Sequence, residues 1–538
     1  MVVRMRLRGL TAVSLLCVAR AAGAQAVTPG VVDDFLREAP RITPSKPQAP
    51  VITPQPALPP RLKAQVQVSA IVFGPTNLYT QEQLQALVRP LVKPRMSLAE
   101  IQDIARFITD RMRADGYLIA SAVVPAQKVK DGVVRIDIVE GKLGGIRFRG
   151  NSRYSDSFLK HYLDPLTNQP ALTTAGLERG LLLLNELPGV TARGTLSPGG
   201  RFGASDLDVD VNETRYRAAA GVNNYGSREL GRIRSDLSVD LFNPLHIGDH
   251  ANLRLINSSG GLLGLGRFGY DLALTPGWRA SVAIARVDYR VAGSLTALDL
   301  SGKSLTREAS LGYALMRTSS TNLTVAAGMR DVRSAQQALG VSLGSANVHA
   351  GFTQLSGYTQ LGGGLTSGVI GVSSNGRGEA AAGTPGTGIR LKTEMDLTHV
   401  RPLPGGFEIS QRVAGQLSPD TLPDTEKFSL GGPDSVRAFP IAQQRGDQGA
   451  LSVTEVRRRF DILGAKAYAG VFFDTGFVYI RQPGLPAVRD SLSGAGVTFS
   501  AMDDRRFRLK IDIAHAFGSD ATIDGRRNRV WLSGTWFF

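Results

Sequence analysis

From about residue 216 to the end of the chain, apolar and polar residues alternate in segments of roughly ten, parted by Gly, Ser, Asn and Asp. Phe507, Leu509, Ile511 and Ile513 interleave with Arg508, Lys510, Asp512 and Ala514. Phe407, Ile409 and Val413 interleave with Glu408, Ser410 and Arg412. A period of two puts each set on its own face of a strand. One face suits lipid and the other water, as the wall of a transmembrane β-barrel requires. About sixteen such segments fit, the last running from Arg529 to Phe538 with Val530, Leu532, Trp536 and Phe538 on one face. An even count lets the sheet close, so that no unpaired backbone edge meets hydrocarbon. A soluble β-sandwich is the alternative.

Before residue 216 the period is helical. Thr80-Gln81-Glu82-Gln83 and Ser97-Leu98-Ala99-Glu100 are capping boxes. The first opens a helix with Leu84, Leu87, Val88 and Leu91 on one face. The second opens one with Leu98, Ile101, Ile104, Ala105, Ile108 and Met112 inward, closed by Gly116. A strand through Val66, Val68 and Ala70 precedes them, and strands at Tyr117 to Pro125 and Val133 to Val139 follow. Residues 142–214 repeat this β-α-α-β-β order: a strand at 146–151, helices around Phe158 to Tyr162 and along Leu177, Leu181, Leu184 and Leu187, then strands at 190–196 and 207–212. Two α/β domains are therefore expected, 64–141 and 142–214, ahead of a barrel from 215 to 538.

The N-terminus reads as a signal peptide, 1–24. Arg4, Arg6 and Arg8 precede an apolar run from Leu10 to Ala19, and Ala22-Gly23-Ala24 is a cleavage site. Residues 25–39 fit a short amphipathic helix with Val31, Val32, Phe35 and Leu36 on one side. Between Pro40 and Pro60 there are eight prolines in 21 residues. Such a stretch, within a linker of 40–63, is extended and semi-rigid.

Composition sharpens this picture at three points. Cys17, in the leader, is the one cysteine, so the mature chain has neither disulfides nor thiolate metal sites. The leader holds four arginines and no acids, which leaves a mature net charge of +12 out of +16. Those cations are dispersed along alternating strands in an exported chain, which fits a water-filled lumen better than a nucleic-acid partner. Enzyme-like motifs lack their setting. Gly340-Val341-Ser342-Leu343-Gly344 matches a nucleophile elbow without a strand-to-helix turn. Gly264-Leu265-Gly266-Arg267-Phe268-Gly269 is followed by alternating residues, not a helix. Gly302-Lys303-Ser304 lacks the leading glycine of a phosphate loop, since Ala297 stands there. The six histidines are scattered. No catalytic residue, metal or cofactor is expected.

Two late stretches stand out. One runs Phe428-Ser429-Leu430-Gly431-Gly432-Pro433-Asp434-Ser435-Val436-Arg437-Ala438-Phe439; the other is Phe472-Phe473-Asp474-Thr475-Gly476. Alternation on the second puts Val471, Phe473, Thr475, Phe477 and Tyr479 toward lipid, and Phe472, Asp474 and Gly476 toward the lumen. A carboxylate there needs a partner. An arginine can give it two parallel hydrogen bonds. An ordinary surface ion pair, worth about 0–1 kcal/mol, is the alternative.

Taken in order, these pieces resemble the two-partner secretion transporters. These are also called haemolysin secretion/activation proteins, within the superfamily of outer-membrane barrels that carry POTRA domains. The matching residues are Asn223-Asn224-Tyr225-Gly226, Asn243-Pro244-Leu245 to Gly248-Asp249, Gly431-Gly432 with Ser435-Val436-Arg437-Ala438-Phe439, Gly446-Asp447, Glu455, the F-x-D-x-G element Phe472, Asp474 and Gly476, and Gly494-Ala495-Gly496-Val497. The resemblance implies a plug helix at 25–39, two periplasmic POTRA domains and a 16-stranded barrel in outer-membrane lipid. It names Arg437 as the partner of Asp474, pinning an inward loop, 419–447. Gly431, Gly432, Ser435, Val436, Phe439, Phe472 and Gly476 would support that lock. The family's usual glycine after the arginine is Ala438 here, and alanine resists positive φ, so the tightness of the loop tip is left open by the sequence. The final aromatic strand resembles the closing strand that barrel-assembly machinery recognises. The implied protein is a monomer that exports an unfolded adhesin, haemagglutinin or cytolysin without ATP. The passenger's extended segments would be captured on a POTRA sheet edge, for which Leu207 to Val211 or a neighbouring edge is a candidate. A barrel-assembly insertase and a porin-type channel are the rivals.

Overall fold

The computed structural model describes Thr28, Val51–Ile52, and residues 65–375, 390–462, 464–481, 486–503, 506–518 and 522–538. The expected signal peptide, plug helix and linker lie outside the described residues, apart from Thr28, Val51 and Ile52. The chain forms two compact units. Arg215–Met316 and Ser320–Phe538 make one, and Ser45–Thr214 with Arg317–Ser319 make the other.

The barrel unit is a closed sheet of sixteen strands in consecutive order. The first strand, Tyr216–Asn223, pairs antiparallel with the last, Asn528–Phe537, from Ala219 opposite Phe537 to Asn223 opposite Ser533. The period-two reading decides which side faces out. Val530, Leu532, Trp536 and Phe538 are exposed, whereas Trp531 between them is buried inside. Val471 and Phe473 point outward; Phe472 and Asp474 point inward. At the end where the first strand begins, hairpins are as short as Pro276-Gly277 and Gly362-Gly363. The opposite end carries longer connections beside the two-residue turn Leu339-Gly340. One of these, between Phe407–Leu417 and Gln448–Ile462, is the expected inward loop.

The enzyme-like motifs fall on barrel strands. Gly340 completes a tight turn between Thr321–Ala338 and Val341–Leu361. Gly264 to Gly269 lie within Leu263–Thr275, and Gly302 to Ser304 within Ser301–Arg317.

The other unit is α/β. In its first half both capping boxes form: Thr80 caps Gln81–Val88 and Ser97 caps Leu98–Ala114. The long helix buries Ile101, Ile104, Ala105, Ile108 and Met112 against the sheet. That sheet runs Ala70–Phe73, Val133–Val139, Ser121–Val123. The expected single strand through Val66 to Ala70 is broken at Val68 and Ser69. Gln65–Gln67 pairs instead with Arg95–Ser97, because Ser69 and Ala70 turn to hydrogen-bond Gly132 O. Of Tyr117 to Pro125, only Ser121–Val123 is strand.

In the second half Thr174–Leu184 buries Leu177, Leu181 and Leu184, and a short helix Asp164–Thr167 joins the two expected helices. Its sheet order is Val51–Ile52, Val190–Pro198, Ala204–Glu213, Lys142–Arg149. Leu207 to Asp210 are thus central, paired on both sides, and offer no edge. Of the two alternatives this removes the first and leaves a neighbouring border, because strand alternation says which face a residue takes, not which neighbours the strand has.

Candidate functional site

The inward loop is partly structured. Phe428–Leu430 pairs antiparallel with Gln444–Gly446, so a small hairpin carries the tip into the barrel. Gly431 and Gly432 take φ of 102° and 108°, which turn the chain out of this hairpin. Ser435 Oγ accepts from Gly431 N at 3.2 Å, and Ser435 N donates to Gly432 O at 3.1 Å. These bonds close the tip.

Arg437 hangs from that tip and is 2% exposed. Its Nε and Nη2 donate to Asp474 Oδ2 and Oδ1, both at 2.9 Å, and its backbone N–H adds a third bond to Oδ2 at 3.0 Å. Its Nη1 reaches Glu455 Oε2 at 3.0 Å and Asp512 Oδ1 at 3.3 Å. The guanidinium carbon lies 3.3 Å from the centre of the Phe472 ring, a cation–π contact. The Arg437 carbonyl accepts from Trp531 Nε1 at 2.7 Å. One residue therefore joins Gln448–Ile462, Ala465–Ile480, Phe507–Ala516 and Asn528–Phe537, four of the last five strands. Asp474 and Asp512 are fully buried. This is a desolvated ion network, so the surface-pair alternative does not apply. Removing one partner of such a pair costs about 3–5 kcal/mol, because the remaining charges are stranded.

Every other expected residue of the lock is at the same place. Val436 and Phe439 are buried against Phe472, Leu492 and Ala514. Gly476 leaves room for the loop: a Cβ there would lie 2.8 Å from Leu430 Cδ2 and 2.7 Å from Ala450 O. Ala438 is accommodated at the tip without strain. Ala438 is not among the residues with positive φ, and it is 1% exposed. Its methyl fits because the facing strand residue is glycine; a Cβ at Gly494 would come within 2.5 Å of Ala438 Cβ. The left-handed residue lies further on, at Ala442 with φ 55°.

A second set of contacts, unforeseen in the sequence, holds the loop's root. Buried Glu426 accepts from buried Lys392 and from Arg330 Nη2 at 3.1 Å. Buried Asp447 accepts from Leu422 N at 2.7 Å and Arg481 N at 2.9 Å. Arg412, bound to Asp396 by two hydrogen bonds of 2.8 and 2.7 Å, also donates to Asp434 O at the tip. Lys392 and Asp512 were findable by the alternation that located Asp474, since both fall on lumen faces. Their partners were not. Beside the loop a cavity of about 670 Å³ remains in the barrel, with Arg234, Asp236, Arg254, Asp396 and Arg412 in its wall.

Residues 203–500 match the family model described as haemolysin secretion/activation protein ShlB/FhaC/HecB. The chain belongs to this family. The transporter's residues 66–141 also match the ShlB-type POTRA domain. It is 26% identical to the heme/hemopexin transporter protein HuxB of Haemophilus influenzae strain 86-028NP, over 84% of this chain and 83% of that protein. To the outer membrane transporter CdiB of Escherichia coli O6:K15:H31 it is 24% identical, over 72% and 68%. The structure of CdiB from Escherichia coli superposes with a TM-score of 0.75 at 20% identity, covering 94% of this chain and 95% of that one. BamA from Haemophilus ducreyi lacking POTRA domains 1–3 shares the fold, with a TM-score of 0.53 at 14% identity over 88% and 100%. The transporter works in the bacterial outer membrane by two-partner secretion, with its POTRA portion in the periplasm. The family match favours secretion of a partner protein over barrel assembly.

Proposed function

We propose that the transporter takes an unfolded exported protein from the periplasm and passes it through the barrel, with the loop 419–447 pinned by Arg437 and Asp474 as the element that keeps the conduit competent. The observation that carries this reading is the fully buried fork between those two residues. A charge network so deep in a barrel is costly to desolvate and contributes little net stability, so its value lies in fixing one loop position. Asp474 and Glu455 sit on neighbouring strands of the barrel wall. Moving the loop therefore changes the wall it is tied to.

Residues 64–141 and 142–214 act as two POTRA domains that hold extended segments of the passenger. Transport draws on the passenger's folding outside the cell. Residues 1–24 are removed on export, 25–39 occupy the barrel at rest, and 40–63 tether them. The hydrogen bond of 2.6 Å from Thr28 Oγ1 to Asp424 Oδ2, at the root of the inward loop, supports a resting plug. The passenger is of the adhesin, haemagglutinin or cytolysin type, and the transporter is monomeric. Co-expression with the exported partner tests the reading. Deleting 65–139 or 142–213 should strand that partner in the periplasm, and its undiminished appearance in the medium would refute capture by these domains.

A further inference from the structure

On the outward face of the barrel one stretch departs from the apolar pattern. Trp278–Arg290, Ser301–Arg317, Thr321–Ala338 and Val341–Leu361 are the fifth to eighth strands of the closed sheet. Through the middle of these strands the outward residues are apolar: Val282, Ile284, Leu311, Met329 and Leu355 are all exposed. Nearer the outer rim they are charged. Arg286 and Asp288 face out, since Val287 and Tyr289, which alternate with them, are buried. On the next strand Lys303 lies opposite Asp288, and Arg307 lies opposite Ile284. Asp331 and Arg333 flank buried Val332, and His349 lies opposite Asp331 between buried Val348 and Ala350.

Strand length sets their depth. His349 stands about a dozen residues along its strand from the Gly362-Gly363 turn, which at about 3.4 Å per residue and a tilt of about 40° is about 30 Å. The apolar band of such a barrel is about 25 Å tall. These side chains therefore meet headgroups of the outer leaflet, and the long stems of arginine and lysine let the lower ones reach that level.

They also form a group. Side chains from three strands converge on one carboxylate: Arg333 Nε is 3.2 Å from Asp331 Oδ2, His349 Nδ1 is 2.7 Å from Oδ1, and Arg307 Nη1 is 3.8 Å from Oδ2. Arg286 donates to Asp288 from Nε at 2.7 Å and from Nη2 at 3.0 Å. Among the described residues, three arginines and a lysine here share two aspartates. The side chains of Arg307 and Arg333 remain about half exposed. Elsewhere the same rim is aromatic. Phe477, Tyr479 and Phe517 face out along Ala465–Ile480 and just beyond Phe507–Ala516, and Arg489 lies over the Phe477 ring at 4.7 Å.

We propose that this surplus of positive charge is a binding site for the phosphate groups of an outer-leaflet glycolipid. It does not depend on the capture reading above. Guanidinium N–H groups donate parallel hydrogen bonds to phosphate oxygens. An occupant must arrive within the membrane plane, carry its anion at headgroup depth and lay acyl chains along Val282, Ile284, Leu311 and Met329. A phosphorylated glycolipid, the outer-leaflet lipid of a bacterial outer membrane, meets all three conditions. Thr321–Ala338 also carries Arg330 inward to Glu426 at the root of the inward loop. A bound lipid thus steadies from outside the strand that holds that root from inside.

The test uses the full transporter, purified in neutral detergent and mixed with diphosphorylated lipid A, with binding read as adducts by native mass spectrometry. Arg307→Gln with Arg333→Gln should weaken binding about tenfold or more, the effect of losing one charge-assisted hydrogen bond or more. Arg489→Gln, on the aromatic side, should bind as the unaltered chain does. Dephosphorylated lipid A should bind the unaltered chain about tenfold more weakly and no longer distinguish it from the double variant. Heat-modified gel mobility checks that each barrel is closed. If the double variant fails to close, Arg286→Gln with Lys303→Gln, which leaves Asp331 its partners, carries the same expectation. Equal binding of lipid A by the folded double variant and the unaltered chain overturns the inference, as does an equal loss in Arg489→Gln. Phosphatidylglycerol separates the sources: binding as tight as that of lipid A, with the same loss in the double variant, would mean that any anionic headgroup suffices and would overturn the assignment to the glycolipid.

Discussion

Arg437→Ala is the most informative single change. It removes the two side-chain hydrogen bonds to Asp474, one each to Glu455 and Asp512, and the contact with Phe472, while the backbone N–H bond to Asp474 can persist. Asp474 is left buried without its cation. Asp512 keeps Lys510, whose Nζ is 2.9 Å away, and Glu455 keeps Arg457 at 3.4 Å. Stranding one buried charge costs about 3–5 kcal/mol. The apolar grip of Val436 and Phe439 stays, worth about 1.5–3 kcal/mol for each buried side chain. The barrel should therefore insert and close, while the pinned state of the loop loses about 150- to 5000-fold against detached states. Hydrogen exchange reads this directly. Amides of Gly432, Ser435 and Phe439, bonded within the tip, should exchange faster by about two to four powers of ten. Those of Ala465–Ile480 should stay protected. Secretion of the partner should be lost. Arg437→Lys keeps the charge but not the planar fork, so it should restore little of either readout. In a double-mutant cycle with Asp474→Asn the two changes should be far from additive. Additive effects, unaltered tip exchange, or normal secretion by Arg437→Ala would each refute the assigned role.

Three further changes probe other parts. Gly494→Val places a branched side chain where even a Cβ meets Ala438 at 2.5 Å and His515 O at 2.8 Å, so it should displace the tip and reduce secretion, measured with heat-modified gel mobility as the control for folding. Removing 25–38 should raise single-channel conductance in planar bilayers, and an unchanged conductance would discredit the resting plug. Burial pushes the Glu213 carboxyl up, but hydrogen bonds from the N–H groups of Tyr154, Arg153 and Ser152 outweigh it and hold its pKa below the ordinary value. A depressed carboxyl contributes stability that is complete above its unfolded value, about 4.3, and is lost as pH falls through the folded one. Glu213→Gln should therefore speed exchange of the 152–154 amides at pH 7 by about five- to a hundredfold, for a loss of about 1–3 kcal/mol, and should make no difference well below pH 4.

The sequence by itself determined the barrel, its outward face and the direction of Asp474. A period of two fixes the side of each residue once one side is lipid, and that rule holds along strands such as Ala465–Ile480 and Asn528–Phe537. It also determined both long capped helices of the first α/β half, because capping boxes and helical periods are local signals. The pairing of Arg437 with Asp474 was legible only through family resemblance, since 37 residues separate them and periodicity carries no partner. Tertiary structure alone decided the rest. It brought Asp512 and Trp531 to the same arginine from two other strands, and joined Lys392 and Arg330 to Glu426 at the root of the loop. It let Ala438 stand where glycine was expected, because Gly494 across the lumen wall yields the space. It also put Leu207 to Asp210 in the middle of their sheet and a linker strand at its border. Each of these depends on which strand lies beside which, and strand order is set by closure of the whole sheet rather than by any segment's own pattern.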